Sequence, residues 1–403
     1  MGAYFLVDAL RGNNGTPAPP APAPTVVVRK QPPRAAQDLG FPAFATKNTT
    51  RVAGTDAVAD ASGIALAVFP STGGVERPAA VTLVEDTDWQ GGIAAAVLAA
   101  PPVGAPILIS GRDAIPALTG DALTALDPGG SPVTDRSQVF RIGSAMAPSG
   151  LRTANVPGSS PAEIAAGIDR LRQKLVGSQP DHILLASSDA AALSMPAAAW
   201  AARSGDPVLF VNKNSAPKPT LDALRHHPRV PVYALGPPSA ISDKTLGEVE
   251  KVSPGVKRVG ASDPVRNAIT FARYANGTFG WNINDPGHGF VIANSSRPLD
   301  AAAAAPLSAS GDWGPLLVTG DAGTVQPALR GYLLDVKPGY IDDPTRAVYN
   351  HVWLIGDESA ISAGFQAQVD DLAEVAKVRS GTGAKPPAPG TSKQKPTNPP
   401  NQR

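Results

Sequence analysis

A short apolar segment opening on a proline occurs three times along this chain. The spacing of the copies constrains the fold more than any bulk property. Gly104-Ala105-Pro106-Ile107-Leu108-Ile109-Ser110 returns as Gly205-Asp206-Pro207-Val208-Leu209-Phe210-Val211, and again as Asp312-Trp313-Gly314-Pro315-Leu316-Leu317-Val318-Thr319. Each copy follows an alanine-rich stretch of helical character and precedes a second apolar run ending in glycine: Val139–Gly143, Val232–Gly236 and Val352–Gly356. Solenoid units span roughly 20–50 residues, whereas these copies are separated by about a domain length. The pattern therefore describes one α/β domain present three times.

Within the first unit, Ala57–Phe69 has helical apolar spacing, Pro78–Val84 is a β-type run and Gly91–Ala100 a small apolar helix. Pro106–Ile109 is a buried strand, Ala114–Leu126 a third helix and Val139–Ile142 a third strand. Strands alternating with helices over such distances imply a parallel sheet covered on both faces. The fold class expected is α/β: three tandem Rossmann-like repeats with parallel sheets. The repeats occupy 46–150, 151–254 and 255–378. An apolar start and Pro/Ala-rich spacer cover 1–45, and a Pro/Lys-rich tail covers 379–403. The spacer and tail have compositions suited to extended or disordered chain. The first ten residues read either as a frayed terminus or as the outer end of an anchor or signal helix that begins upstream, a membrane anchor truncated in this chain.

With 35 basic and 34 acidic residues the net charge is +1, so no global attraction to nucleic acid is expected. The chain has no cysteine, which removes disulfides, thiol catalysis and cysteine-ligated metal.

The order of elements resembles the type 2 cell wall-binding repeat family of bacterial surface proteins, whose repeats usually occur in threes. The family's opening motif is matched by Arg51-Val52-Ala53-Gly54-Thr55-Asp56 and by Arg258-Val259-Gly260-Ala261-Ser262-Asp263. Its helix start is matched by Pro298-Leu299-Asp300-Ala301-Ala302-Ala303-Ala304, and its Pro-Ile-Leu-Leu strand begins at Pro106, Pro207 and Pro315. The sequence departs from the pattern in lacking the Arg-Tyr pair after the opening Asp, in having no recognisable opening for the second repeat, and in placing Gly91 where the helix-start Asp belongs. The resemblance implies a pseudo-threefold arrangement of the repeats. It also implies a role for the Pro-Ile-Leu-Leu regions in holding an anionic secondary wall polymer. The polymer-binding residues expected on that basis are Pro106, Ile107, Leu108 and Ser110; Pro207, Val208 and Leu209; and Pro315, Leu316, Leu317 and Thr319. The carboxyl ends of parallel strands and nearby helix N-termini suit an anion physically. Six positions after each motif proline stand Arg112, Lys213 and Asp321, so Arg112 and Lys213 join the expected contacts while the third loop has the opposite sign.

Signals for catalysis are weak. The five histidines (His182, His226, His227, His288, His351) fit no metal spacing, and neither a P-loop nor a Gly-x-Gly-x-x-Gly fingerprint occurs. Asp56, Asp189, Asp263 and Asp300 recur near strand–helix junctions and suit helix capping, as does Ser160 before Pro161. Neither a catalytic residue, a metal nor a cofactor is expected. The reading is a non-catalytic, extracytoplasmic protein that binds a cell-wall polymer or glycan. The alternative is a small-molecule-binding or hydrolytic α/β protein using a cleft between repeats.

Overall fold

The computed structural model describes residues 42–69, 77–309 and 314–378. Residues 1–41 of the expected spacer, the C-terminal tail and Trp313 lie outside them, while 42–45, expected in the spacer, form a strand. In chain order the elements begin with β1 (Pro42–Ala45), β2 (Thr49–Val52), α1 (Ala57–Val68), β3 (Val81–Glu85), α2 (Trp89–Ala95), β4 (Ile107–Ser110), α3 (Ala117–Leu126) and β5 (Val139–Ile142). The middle of the chain gives β6 (Thr153–Val156), α4 (Pro161–Val176), β7 (Ile183–Ser187), α5 (Ala191–Ser194), α6 (Pro196–Ser204), β8 (Val208–Val211), α7 (Lys218–His226) and β9 (Val232–Leu235). Then follow α8 (Asp243–Glu250), β10 (Lys257–Val259), α9 (Pro264–Arg273), β11 (Gly289–Asn294), α10 (Leu299–Ala309), β12 (Leu316–Thr319) and α11 (Pro327–Asp335). The last elements are β13 (Gly339–Tyr340), β14 (His351–Ile355), α12 (Ala363–Ala373) and β15 (Ala376–Lys377).

Three sheets share one strand order: β4-β3-β5-β6, β8-β7-β9-β10 and β12-β11-β14-β2. Their strands are parallel, as expected of buried, hydrophobic strands joined by helical crossovers. The fourth strand of each sheet comes from the opening of the next repeat. β6 completes the first sheet and β10 the second, while β2, from the start of the chain, completes the third. The ring is thus closed by the N-terminal strand, with Val52 opposite Ile355. The following helix then crosses to its own repeat: α1 packs on β4, α4 on β8 and α9 on β12.

The opening arginine explains how the borrowed strand is held. Arg51 is fully buried. Its Nη1 donates to the carbonyls of Gly356 (2.9 Å) and Asp357 (3.1 Å), Nη2 to that of Ser362 (3.2 Å) and Nε to Gln366 Oε1 (3.0 Å). A buried guanidinium is tolerable because nearly all its donors are used. Arg258 repeats the arrangement with the Gly236 carbonyl (3.0 Å). The register aligns Asn155 with these two arginines, since Gly143, Gly236 and Gly356 each donate an N–H to the carbonyl of the next residue, Val156, Val259 and Val52. The second repeat therefore does have an opening, Asn155-Val156-Pro157-Gly158, with the arginine lost. Arg141, on the neighbouring strand, lies directly opposite Asn155. Its Nε donates to the Ala145 carbonyl four residues on, so it braces the loop of its own repeat and does not tie β6 to it.

At the centre, α2, α6 and α10 pack pairwise. Their facing residues are small: Gly92, Ala197–Ala199 and Ala301–Ala305 are buried. A Cβ added at Gly92 would lie 2.9 Å from Ala302 Cβ, so that glycine permits the close approach. Among the described residues no helix is long and apolar enough to cross a membrane.

Candidate functional site

The Pro-Ile-Leu-Leu strands occupy the inner edges of the sheets. β4 packs against α10 of the third repeat, β8 against α2 of the first and β12 against α6 of the second. Pro106, Pro207 and Pro315 are buried, as are Ile107, Leu108, Ser110, Val208, Leu209, Leu316, Leu317 and Thr319, none more than 1% exposed. Their side chains are consumed by the core, each large aliphatic one contributing about 1.5–3 kcal/mol. Leu108 packs within the first repeat, and the Ser110 and Thr319 hydroxyls donate to the carbonyls of Met146 and Asp321. The loops that follow these strands carry the exposed groups.

Those three loops differ. After β4, Arg112 is exposed but leans on Glu85 at the end of β3, donating from Nη2 (2.9 Å) and Nε (3.1 Å) to Oε1. Thr87 Oγ1 donates to the same oxygen (3.0 Å). After β8, Lys213 is exposed, and its ammonium has no ion-pair partner among the described residues. Its backbone is fixed, the N–H donating to Asp189 Oδ2 (3.0 Å) and the carbonyl accepting from Ser242 N–H (2.9 Å) and Thr245 Oγ1 (2.7 Å). After β12, Asp321 Oδ1 accepts from the N–H groups of Gly323 (2.7 Å) and Thr324 (3.1 Å). That carboxylate shapes its own turn, which accounts for the opposite charge.

Where the first and third repeats meet, a cleft of about 410 Å³ is lined by Thr55, Asp56, Asp86, Trp89, Arg297 and Asp300. Beneath it, Arg297 bridges two fully buried carboxylates, Asp60 (Nη2–Oδ2, 2.7 Å) and Asp300 (Nε–Oδ2, 2.8 Å). Burial pushes the Asp300 carboxyl up to about 7 against the pull of Arg297. Burial and the neighbouring Asp300 carry Asp60 well above the ordinary carboxylate range. One guanidinium cannot neutralise both groups, so the cluster holds a proton under conditions where an exposed pair would not. Asp56 caps α1 through Ala59 N–H (2.9 Å) and Asp263 caps α9 through Arg266 N–H (3.0 Å). Ser160 caps α4 through Glu163 N–H (3.3 Å). Asp300 is not a cap; sequence spacing gave no sign of its partner, 240 positions from Asp60 in the chain.

The histidines are mostly structural. His182 is buried between Asp206 (Nδ1–Oδ2, 3.1 Å) and Thr278 (3.2 Å), and His227 is buried against Asp169 (2.7 Å). Trp200 and Trp281 stack edge to face, with centroids 5.5 Å apart, inside an aromatic cluster. Of the described tryptophans, Trp89 lines the cleft.

Residues 157–246 match the family described as cell wall binding domain 2 (CWB2). They span the second repeat from the Pro157 turn through the Lys213 loop to α8. Two solved structures from Clostridium difficile are similar in fold. Cwp6 aligns at TM-score 0.63 and 19% identity over 81% of this chain and 48% of its own. Cwp8 aligns at TM-score 0.60 and 17% identity over 81% of this chain and 52% of its own. The chain thus spans about half the length of each. No curated protein sequence matches it.

Proposed function

We propose that this chain, which carries a cell wall binding domain 2 across residues 157–246, attaches without catalysis to an anionic secondary polymer of the cell wall. The observation that carries the reading is the coincidence of that domain with the Lys213 loop, an exposed cation on a rigid backbone. Arg112 supplies a second, partly compensated cation on the equivalent loop. Two weak sites on one rigid body gain by avidity on a repeating polymer. The prolines and aliphatic residues of the three strands hold these loops in place. Such a protein works outside the cytoplasmic membrane, on the cell surface or within the wall.

A hydrolytic use of the inter-repeat cleft has less support. Asp56 is spent on capping, and Asp60 and Asp300 hold Arg297. The test is co-sedimentation with wall sacculi before and after extraction of their anionic polymer, across a salt series. The expected result is binding that disappears on extraction, weakens with salt and falls in Lys213→Glu. Binding indifferent to extraction and salt would overturn the anionic assignment.

A further inference from the structure

We propose that the outer edge of β6 is a docking site for an acidic peptide in extended conformation, which adds to the first sheet as an antiparallel strand. β6 is the last strand of that sheet, and no described segment pairs with its outer side. The carbonyls of Arg152 and Val156 accept from β5 and the residue after it. By the alternation of a parallel ladder, Thr153 and Asn155 therefore turn their backbone groups outward.

A groove of about 650 Å³ follows this edge through six consecutive residues, 152 to 157, with α4 as its other wall. One whole side of its lining is thus a single extended segment. Arg152, Arg170 and Lys174 line it, all exposed and none with an ion-pair partner among the described residues. Asp135 is the single carboxylate facing them. Thr134, 3% exposed on the groove wall, keeps its Oγ1 without a hydrogen-bond partner.

The molecule already uses the equivalent edge this way. In the third sheet β2 takes the place of β6, and β1 pairs with its outer side antiparallel, Pro42 opposite Val52 and Ala45 opposite Thr50. The first sheet offers the same edge unfilled, with a basic wall added. That wall is specific to this junction. The position of Arg170, ten residues after the helix cap, is held in the first repeat by Leu66 and in the third by Arg273, which is tied to Asp335 and lies over the Tyr332 ring. Main-chain pairing would supply affinity and the three cations the choice of side chains.

The test uses the whole chain and a labelled peptide of alternating glutamate and valine. The expected result is saturable binding, with slowed amide exchange at Thr153 and Asn155. The Arg170→Glu/Lys174→Glu variant, shown to be folded by circular dichroism, should bind at least about tenfold more weakly. Lys213→Glu should bind as the parent does. A peptide with proline at alternate positions cannot pair and should not bind. Equal binding of the proline peptide, or of a glutamine-for-glutamate peptide, would overturn the proposal. So would displacement of the peptide by an oligomer of glucuronic acid at lower concentration, which would make the groove a glycan site.

Discussion

Two junctions in the ring solve the same structural problem with opposite chemistry. Between the third and first repeats, Asp60 Oδ1 accepts the Gly54 N–H (2.8 Å) and Oδ2 binds Arg297. Between the second and third, Asn267 Oδ1 accepts the Ala261 N–H (3.1 Å) and its amide donates to the Leu193 carbonyl (2.9 Å). At both of these junctions one side-chain acceptor holds the turn that leads from the borrowed strand into its helix. What the second atom meets is free to vary. At the remaining junction Ile164 stands in the same place and packs near Gly143. The threefold geometry is therefore a property of the backbone and the small residues at its centre. Charge is local to each junction.

The strongest way to break this comparison is Arg297→Met. It leaves Asp60 and Asp300 buried without their cation and should cost about 3–5 kcal/mol in urea unfolding at pH 7.5. Most of that loss should return at pH 5, where both carboxyls take up protons; a loss equally large at both pH values would assign the cost to packing.

Next in size is the pH dependence of the parent protein. Asp300 is raised to about 7 when folded, above its ordinary value near 4 when unfolded. Between those values the folded state holds a proton that the unfolded chain has released, so the contribution of this group to stability is greatest at low pH. It falls as pH rises toward 7 and is level above, by up to about 4 kcal/mol. Arg297, Asp60, Asp56 and Asp357 are the charged groups around the carboxyl. Asp300→Asn should make the profile shallower, with buried Asp60 keeping the remainder; an unchanged slope would place its origin elsewhere.

The neutral junction can be made to imitate the charged one. Asn267→Asp turns a donor to the Leu193 carbonyl into a second acceptor and should cost about 1–3 kcal/mol at pH 7.5, with recovery in acid. The reverse exchange should matter least. Asp60→Asn keeps an acceptor for Gly54 and leaves Arg297 to Asp300 alone, so chemical denaturation should move by less than about 1 kcal/mol. A large loss there would mean that the two junctions are not interchangeable.

The repeats were legible because short apolar runs, glycine turns and alanine-rich helices carry their own local signature. Asp56, Asp263 and Ser160 were legible as caps because a cap acts within four residues. The borrowed strands were not. β2, β6 and β10 have three or four residues each, and which sheet receives them is decided by contacts across the ring. The opening of the second repeat was hidden because Asn155 stands where the other two openings carry their arginine. The motif strands were legible as strands, yet their side chains serve the core, since an aliphatic strand covered by helices buries both partners. The basic groove left no motif, because Arg170 and Lys174 have the spacing of any solvated helix face and Arg152 lies in a separate loop.

The closing strand also determines where the body can bear load. Thr46 and Asn48, beside β2, are hydrogen-bonded to Asp370 on α12, and Lys47 pairs with Glu374 just beyond it. The first and last described elements thus leave from one corner of the ring. Tension entering before Pro42 and leaving after Val378 would pass through β2, β14 and α12, with Arg51 as the rivet between strand and loop. The first and second sheets, which carry Arg112, Lys213 and the β6 groove, would stand outside that path. Their surfaces would keep their shape while the attachment is pulled.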